Sequence, residues 1–295
     1  MPTPMPLSLT HIASLVPGAT SASFLAKGGQ KSVYRITVGN TEFAFKVIFL
    51  DEDPSIDPDA TDAFARAKRE VDTMRSCMSP YMVKLGPIGL TIGDVDGKQV
   101  LFFTEELIDG QSLQQLLAVS GPLTAAEVVR LGLDISHAIN GLWALKKVHR
   151  DIKPGNIMRR SSDGTFCLLD AGLAFDISAE SLSAGYLVGT LRYFSPEQFD
   201  YAKRRSSLDF RSDLFSLGVT MYECLTGVHP FWSPGVTSNA LFGRIIGAKP
   251  EPPSSHDPHV PQQLEKLILR MMGKTPALRY RTCEKLIEAL QGVST

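Results

Sequence analysis

The sequence predicts an α+β chain built in two parts, a small sheet-rich half followed by a larger helical half. Three observations predict it. Val33-Tyr34-Arg35-Ile36-Thr37-Val38 alternates apolar and polar side chains, Gly39-Asn40 supplies a tight turn, and Glu42 to Phe49 returns rich in Phe, Val and Ile. Behind residue 124 the apolar positions change to the i, i+4, i+7 rhythm of core-facing helices. The composition, 43% hydrophobic and 21% charged over 295 residues, suits a large buried core and excludes wholesale disorder. The crossing between the halves falls near Glu106 to Gly110.

The elements follow in order. Residues 1–20 are Pro-rich and then mildly apolar, and are expected as an N-terminal extension that caps the small half or stays loose. They lack a basic n-region, so no signal peptide is expected. After the hairpin comes an acidic loop, Asp51 to Asp59, and then a helix from Thr61 to Cys77 with Ala67, Val71, Met74 and Met78 on one stripe. Strands near Ile88 to Ile92 and Val100 to Glu105 flank the turn Asp96-Gly97. Thr124-Ala125-Ala126-Glu127 is a capping box, in which a hydroxyl takes an orphan amide while the Glu reaches back. The helix behind it carries Leu131, Ile135, Ala138, Leu142 and Leu145 toward a core. Further helices are expected at Ser212 to Leu225, Ala240 to Ile246, Gln262 to Met272 and Cys283 to Leu290. Lys249 to Pro253 is a loop between helices.

Charge and cysteine usage narrow the partners. Thirty Lys and Arg stand against 31 Asp and Glu, a net charge of −1, which argues against a nucleic-acid partner. Four cysteines, Cys77, Cys167, Cys224 and Cys283, lie far apart without metal or redox spacing, so they are expected to be buried, reduced thiols. No run approaches the ~20 apolar residues of a membrane span. A cytoplasmic protein is expected.

The strongest chemical signal is His149-Arg150-Asp151-Ile152-Lys153-Pro154-Gly155-Asn156, followed after the apolar run Phe166-Cys167-Leu168-Leu169 by Asp170-Ala171-Gly172. Phosphoryl transfer needs an oriented hydroxyl and neutralised phosphate charge. Asp151 can accept or orient the hydroxyl proton, Lys153 can reach the γ-phosphate from the same loop, and Asn156 and Asp170 offer the hard oxygen ligands that Mg²⁺ selects.

These strings are similar to those of the eukaryotic-type (Hanks-type) Ser/Thr protein kinases, and the resemblance covers about Leu25 to Leu290. It implies a bilobal kinase domain: an N-lobe over 21–106 with a five-stranded antiparallel sheet plus one helix, and a mainly helical C-lobe over 107–295. It implies Mg-ATP, with Mn²⁺ as the alternative metal, and protein substrates. Phe43-Ala44-Phe45-Lys46 resembles the third strand, where Lys46 would bind the α- and β-phosphates and Ala44 would pack on adenine. Glu70, on the Ala67/Met74 face, would be the partner of Lys46. Ala26, Lys27, Gly28, Gly29 and Val33 fall on the nucleotide loop. One register makes Glu106 and Ile108 the adenine-contacting backbone, with Glu105 preceding them as the gatekeeper. A shift by one makes Thr104 the gatekeeper and Glu105 the contact. Gly189-Thr190-Leu191-Arg192-Tyr193-Phe194-Ser195-Pro196-Glu197 is similar to the end of an activation segment, with Thr190 turned toward Asp151 and Lys153. Glu197 would pair with Arg279, or with Arg281, and Asp213 would brace the catalytic loop. Lys153 and Thr190 together favour Ser/Thr acceptors.

Two departures and one match stand out. The first and third loop glycines are Ala26 and Lys31, leaving Lys27 and Lys31 either to attract phosphate or to sit solvated. Ala171 replaces a ring that the family usually packs there, so a flip of this segment is not expected to be the main switch. Arg150 suggests a phosphorylated activation segment, with Ser178, Ser181, Ser183 and Thr190 as candidates. The favoured reading is an autophosphorylating protein kinase. The alternatives are a pseudokinase-type binding module and a small-molecule kinase, the latter opposed by Lys153 and Thr190.

Overall fold

Helix α1 (Leu9–Leu15) is only seven residues long, too short to hold itself in water, and two devices secure it. Ser8 Oγ accepts the His11 amide at 3.2 Å while His11 Nδ1 accepts the Ser8 amide at 3.3 Å, and His11 Nε2 lies 3.3 Å from Asp96. Apolar packing does the rest: Ile12 of the helix and its flanking residues Leu7 and Val16 are buried with Tyr34, Ile36, Phe45, Val47 and Phe102 in one cluster. The computed structural model describes residues 7–28, 31–50, 60–170, 191–200 and 208–294. Gly29, Ala171, Gly172, Ser178, Ser181, Ser183, Gly189 and Thr190 lie outside the described residues.

These residues fall into two compact units, the first made of the described residues within 1–76 and 83–108, the second of those within 77–82 and 109–295. The first holds an antiparallel sheet of five strands in the order β1-β2-β3-β5-β4: β1 (Ala19–Gly28), β2 (Lys31–Val38), β3 (Thr41–Phe49), β4 (Thr91–Val95) and β5 (Lys98–Glu106). The hairpin at Gly39-Asn40 forms with Gly39 at φ +61°, and Asp96 and Gly97 both have positive φ at the β4–β5 turn. Strands β3 and β5 are buried continuously because both of their faces are covered. Phe45 and Val47 join the α1 cluster, whereas Ile48 and Leu101 pack with Ala67 of helix α2 (Ala60–Ser76). The fourth strand starts at Thr91, not Ile88. At Ile88 both the amide and the carbonyl are taken by the Thr104 hydroxyl, and the carbonyl also accepts the Thr104 amide. Gly93 lets α1 approach: a Cβ there would stand 2.4 Å from Leu15 and 2.9 Å from Phe102.

The second unit is mainly helical. It begins with a small sheet of β6 (Gly110–Ser112), β7 (Ile157–Arg160) and β8 (Phe166–Leu168), to which Met82 and Tyr81 add a backbone bridge at Leu168. Its α-helices described in full are α3 (Leu113–Ser120), α4 (Ala125–Ala144), α5 (Phe210–Thr226), α6 (Ser238–Gly247), α7 (Gln262–Met271) and α8 (Cys283–Gln291). The Thr124 capping box forms: Thr124 Oγ1 accepts the Glu127 amide and Glu127 Oε2 accepts the Thr124 amide. Helix α5 is the buried axis, starting at the Asp209 cap and stopping at Gly227, whose φ of +72° suits a residue without Cβ. All four cysteines are buried. Among the described residues no helix is long and apolar enough to cross a membrane.

Candidate active site

In the second unit the loop 149–156 is held from several sides. Asp213, buried at the start of α5, accepts the amides of His149 and Arg150, both at 2.8 Å. Burial pushes its carboxyl above the ordinary range, against the pull of His149 and these amides. Gln198 Nε2 donates to the Arg150 carbonyl at 3.0 Å. Arg150 sits at φ +69°, a left-handed conformation that a β-carbon disfavours, and these bonds hold it there. His149, 1% exposed, accepts the Asp151 amide at Nδ1, so Nε2 carries the proton and donates to the Leu169 carbonyl at 2.8 Å.

The result is an asymmetric carboxylate. Asp151 Oδ2 accepts from Lys153 Nζ at 2.9 Å and from Asn156 Nδ2 at 2.8 Å. Asn156 Nδ2 also donates to the Asp151 carbonyl at 2.8 Å, which commits its nitrogen to Asp151 and leaves its amide oxygen as the atom for another partner. Asp151 Oδ1 is buried and has no hydrogen-bond partner among the described residues. A buried acceptor without a partner calls for an explanation, and a proton received from something bound is one that fits a carboxylate. Asp170 follows β8 at φ +53°, half-buried, and the Leu169 amide before it donates to the Asn156 carbonyl at 2.8 Å.

The brace around this loop extends further than motif spacing tells. Glu197 and Arg279 form a bidentate pair at 2.6 and 2.9 Å, the partner expected first, and Ser212 Oγ adds a bond to Glu197 at 2.8 Å. Burial pushes the Glu197 carboxyl up, and the Arg279 bonds and charge more than offset this, leaving it below the usual carboxylate range. Sequence reasoning missed Asp134, which accepts the Phe166 amide at 2.9 Å, and Gln198. The signal for Asp134 was present, an acid among apolar positions of α4. Beside Lys153 lies a cavity of about 250 Å³ bordered by Gln114, Gly155, Arg192, Tyr193 and Glu223. The Tyr193 hydroxyl donates to Glu223 at 2.5 Å, and the Arg192 guanidinium lies over the rings of Tyr193 and Trp232.

In the first unit the cross-strand register gathers the other candidates. Val33 pairs with Lys46, Lys46 with Phe103 and Ala44 with Glu105, so these side chains share one face of the sheet, toward α2. Lys46 Nζ stands 3.2 Å from Glu70 Oε1, the expected partner, and 2.7 Å from Glu105 Oε1. Lys31 is not simply solvated: its side chain is 13% exposed and its Nζ lies 2.7 Å from Glu70 Oε2. Ala26 and Lys27 are exposed at the end of β1, which closes at Gly28. Glu106 turns its side chain to the Lys84 amide at 2.9 Å, and Ile108 is buried. Thr104 points to the opposite face, beside Phe45, and bonds Ile88.

Comparison with known proteins agrees with this geometry. A family profile described as the protein kinase domain matches residues 20–289. The serine/threonine-protein kinase PknE of Mycobacterium bovis is 32% identical over 266 residues, covering 90% of this chain and 44% of that protein. The serine/threonine-protein kinase pkn3 of Myxococcus xanthus is 36% identical over 239 residues, covering 78% and 42%. The chain thus spans less than half the length of these curated relatives. The kinase domain of PknI from Mycobacterium tuberculosis has the same fold, with a TM-score of 0.66 at 20% identity over 93% of this chain and 95% of that one. A structure of Rad53 in complex with AMP-PNP is likewise similar, with a TM-score of 0.67 at 21% identity over 90% and 64%. With the catalytic-loop geometry, the five-stranded sheet and the matched span of 20–289 in agreement, the chain belongs to the protein kinase domain family.

Proposed function

We propose that the chain is an ATP-dependent protein kinase that moves the γ-phosphate of ATP to Ser or Thr hydroxyls of protein substrates and phosphorylates itself. The observation that carries this reading is Asp151: one carboxylate oxygen is held by Lys153 and Asn156, and the other is buried and unpartnered among the described residues. A substrate hydroxyl at Oδ1 gives up its proton there as its oxygen bonds to the γ-phosphorus. The bond to the bridging oxygen breaks, and ADP leaves with that electron pair. Lys153 steadies the carboxylate and carries positive charge toward the transferring group. Lys46, fixed by Glu70, holds the α- and β-phosphates, Ala44 and Val33 cover the adenine, and the backbone of Glu106 and Ile108 reads its edge. The side-chain positions support this register, because Glu105 shares the face of Ala44 and Lys46 and Thr104 does not. Ala26, Lys27 and Gly28, at the end of β1, cover the phosphates.

The donor set fits a divalent cation. The Asn156 amide oxygen and the Asp170 carboxylate are the hard ligands that Mg²⁺ or Mn²⁺ takes, and the ion, when bound, neutralises polyphosphate charge. The cavity beside Lys153 supports a place for the residues flanking the acceptor. A cytoplasmic domain, where ATP is abundant, goes with this reading. The names of the bacterial relatives support the Ser/Thr assignment. Mass spectrometry after incubation with Mg-ATP and a mixed peptide panel tests it. Phosphoserine and phosphothreonine should appear with wild type, and at least about 10²-fold more slowly with Asp151→Asn. Equal incorporation by both proteins overturns the role given to Asp151.

A further inference from the structure

The second charge pair around Lys46 has no part in the function proposed above. Glu70 bridges Lys46 and Lys31, and Lys46 bridges Glu70 and Glu105, so four charges alternate in sign along one face of the sheet and sum to zero. The side chains of Glu70, Glu105, Lys46 and Lys31 are 0, 3, 6 and 13% exposed. The distances invert the expected pairing: Lys46 is closer to Glu105, at 2.7 Å, than to Glu70, at 3.2 Å, and Glu70 is closer to Lys31, at 2.7 Å. Register makes this unavoidable. Glu105 stands across from Ala44 and Lys31 across from Ile48, on the Lys46 face, two strands apart from each other. Stability alone does not explain the extra pair, because apolar residues of similar volume generally serve a buried site as well or better.

We infer that Glu105 and Lys31 are a matched pair of specificity-determining residues that set how strongly Lys46 attracts anionic phosphate. Glu105 offsets the charge of Lys46 and weakens its hold on a polyphosphate. Lys31 takes up the charge of Glu70 and restores part of that hold. The inference rests on the reading that Lys46 meets the nucleotide phosphates, and it adds a dependence on charge that this reading does not contain.

Calorimetric titration of the wild-type chain and its variants with ATP and with uncharged adenosine tests it. Glu105→Gln should bind ATP about ten-fold tighter and Lys31→Met about ten-fold weaker, the effect of one nearby charge at intermediate dielectric. The double variant, whose network again sums to zero, should return to within about three-fold of wild type. Adenosine affinity should move less than about three-fold throughout, since it carries no charge for the network to act on. Weaker ATP binding by Glu105→Gln, or equal shifts for ATP and adenosine, overturns the inference and leaves the nucleotide reading standing. Wild type that binds neither ligand overturns the nucleotide reading and the inference with it. Should Glu105→Gln fail to fold, Lys31→Met decides the matter: ATP weakened with adenosine unmoved supports it, and any other pattern refutes it.

Discussion

Arg279→Met puts the brace behind the catalytic loop to a quantitative test. Arg279 is 1% exposed and spends its guanidinium on four bonds: two to Glu197, one to the Arg211 carbonyl at 2.7 Å and one to the Gly273 carbonyl at 2.8 Å. Methionine keeps most of the stem and removes all four. Glu197, 7% exposed, is then left with the Ser212 hydroxyl and its own backbone amide, and with no cation. An abandoned buried carboxylate costs about 3–5 kcal/mol, and each carbonyl without a donor adds about 1 kcal/mol. Relief of Lys274, whose pKa burial and the charge of Arg279 depress to about 8, offsets part of this. A net loss of roughly 4–6 kcal/mol corresponds to a fall of about 10–20 °C in Tm for a chain of this size. Circular dichroism during heating reads it directly.

The pH dependence sharpens the same test. In wild type the Glu197 carboxyl is depressed, so its stabilising contribution is full above the ordinary Glu range and is lost as pH falls through the lower folded value. In the variant, burial acts without Arg279 and raises that carboxyl, so acidification from pH 7 toward 5 lets it take a proton and relieves the penalty. The gap between the two proteins should therefore narrow as pH falls. Arg279→Met combined with Glu197→Leu should recover more than half of the loss. A fall of less than about 3 °C, or a gap that stays constant between pH 7 and 5, refutes the assignment of this pair as the brace.

Other expectations follow from the same contacts. Asp213→Asn keeps the shape but turns an amide NH₂ toward one of the two backbone donors, so phosphate transfer should fall roughly ten-fold or more with the helix signal intact. Full activity would show that the loop stands without it. His229 Nδ1 accepts the amides of Phe231 and Trp232, and burial, with Arg192 nearby, lowers the imidazole pKa from 6.5 to about 3. Its contribution is full above pH 6.5 and fades as pH falls toward 3, so the urea midpoint of wild type should drop more steeply over that window than that of His229→Gln. Parallel curves would refute it. Burial pushes the Cys224 thiol well above its ordinary value and the Cys283 thiol up to about 12, so a thiol reagent should label neither until the protein unfolds.

Two kinds of information built this protein, and they separate by distance along the chain. The hairpin at Gly39-Asn40, the capping box at Thr124 and the loop from His149 to Asn156 were legible because their partners lie within a few residues. Chain chemistry decides there which donor can reach which acceptor. The pairing of Lys46 with Glu70 and of Glu197 with Arg279 was legible through family resemblance, since nothing local selects one carboxylate among many. Helix α1 was not legible, because seven residues carry too few turns to show a period, and its existence depends on the notch at Gly93 and on Tyr34, Phe45 and Phe102. The start of β4 moved to Thr91 because the Thr104 hydroxyl took the backbone groups of Ile88. Above all, residues 31, 46, 70 and 105 become one charge network only when three strands settle into register against a helix. Composition chose the groups that do chemistry, and strand register decided which charges those groups must share, because a buried charge answers to whatever stands within a few ångströms, however far away it lies in the chain.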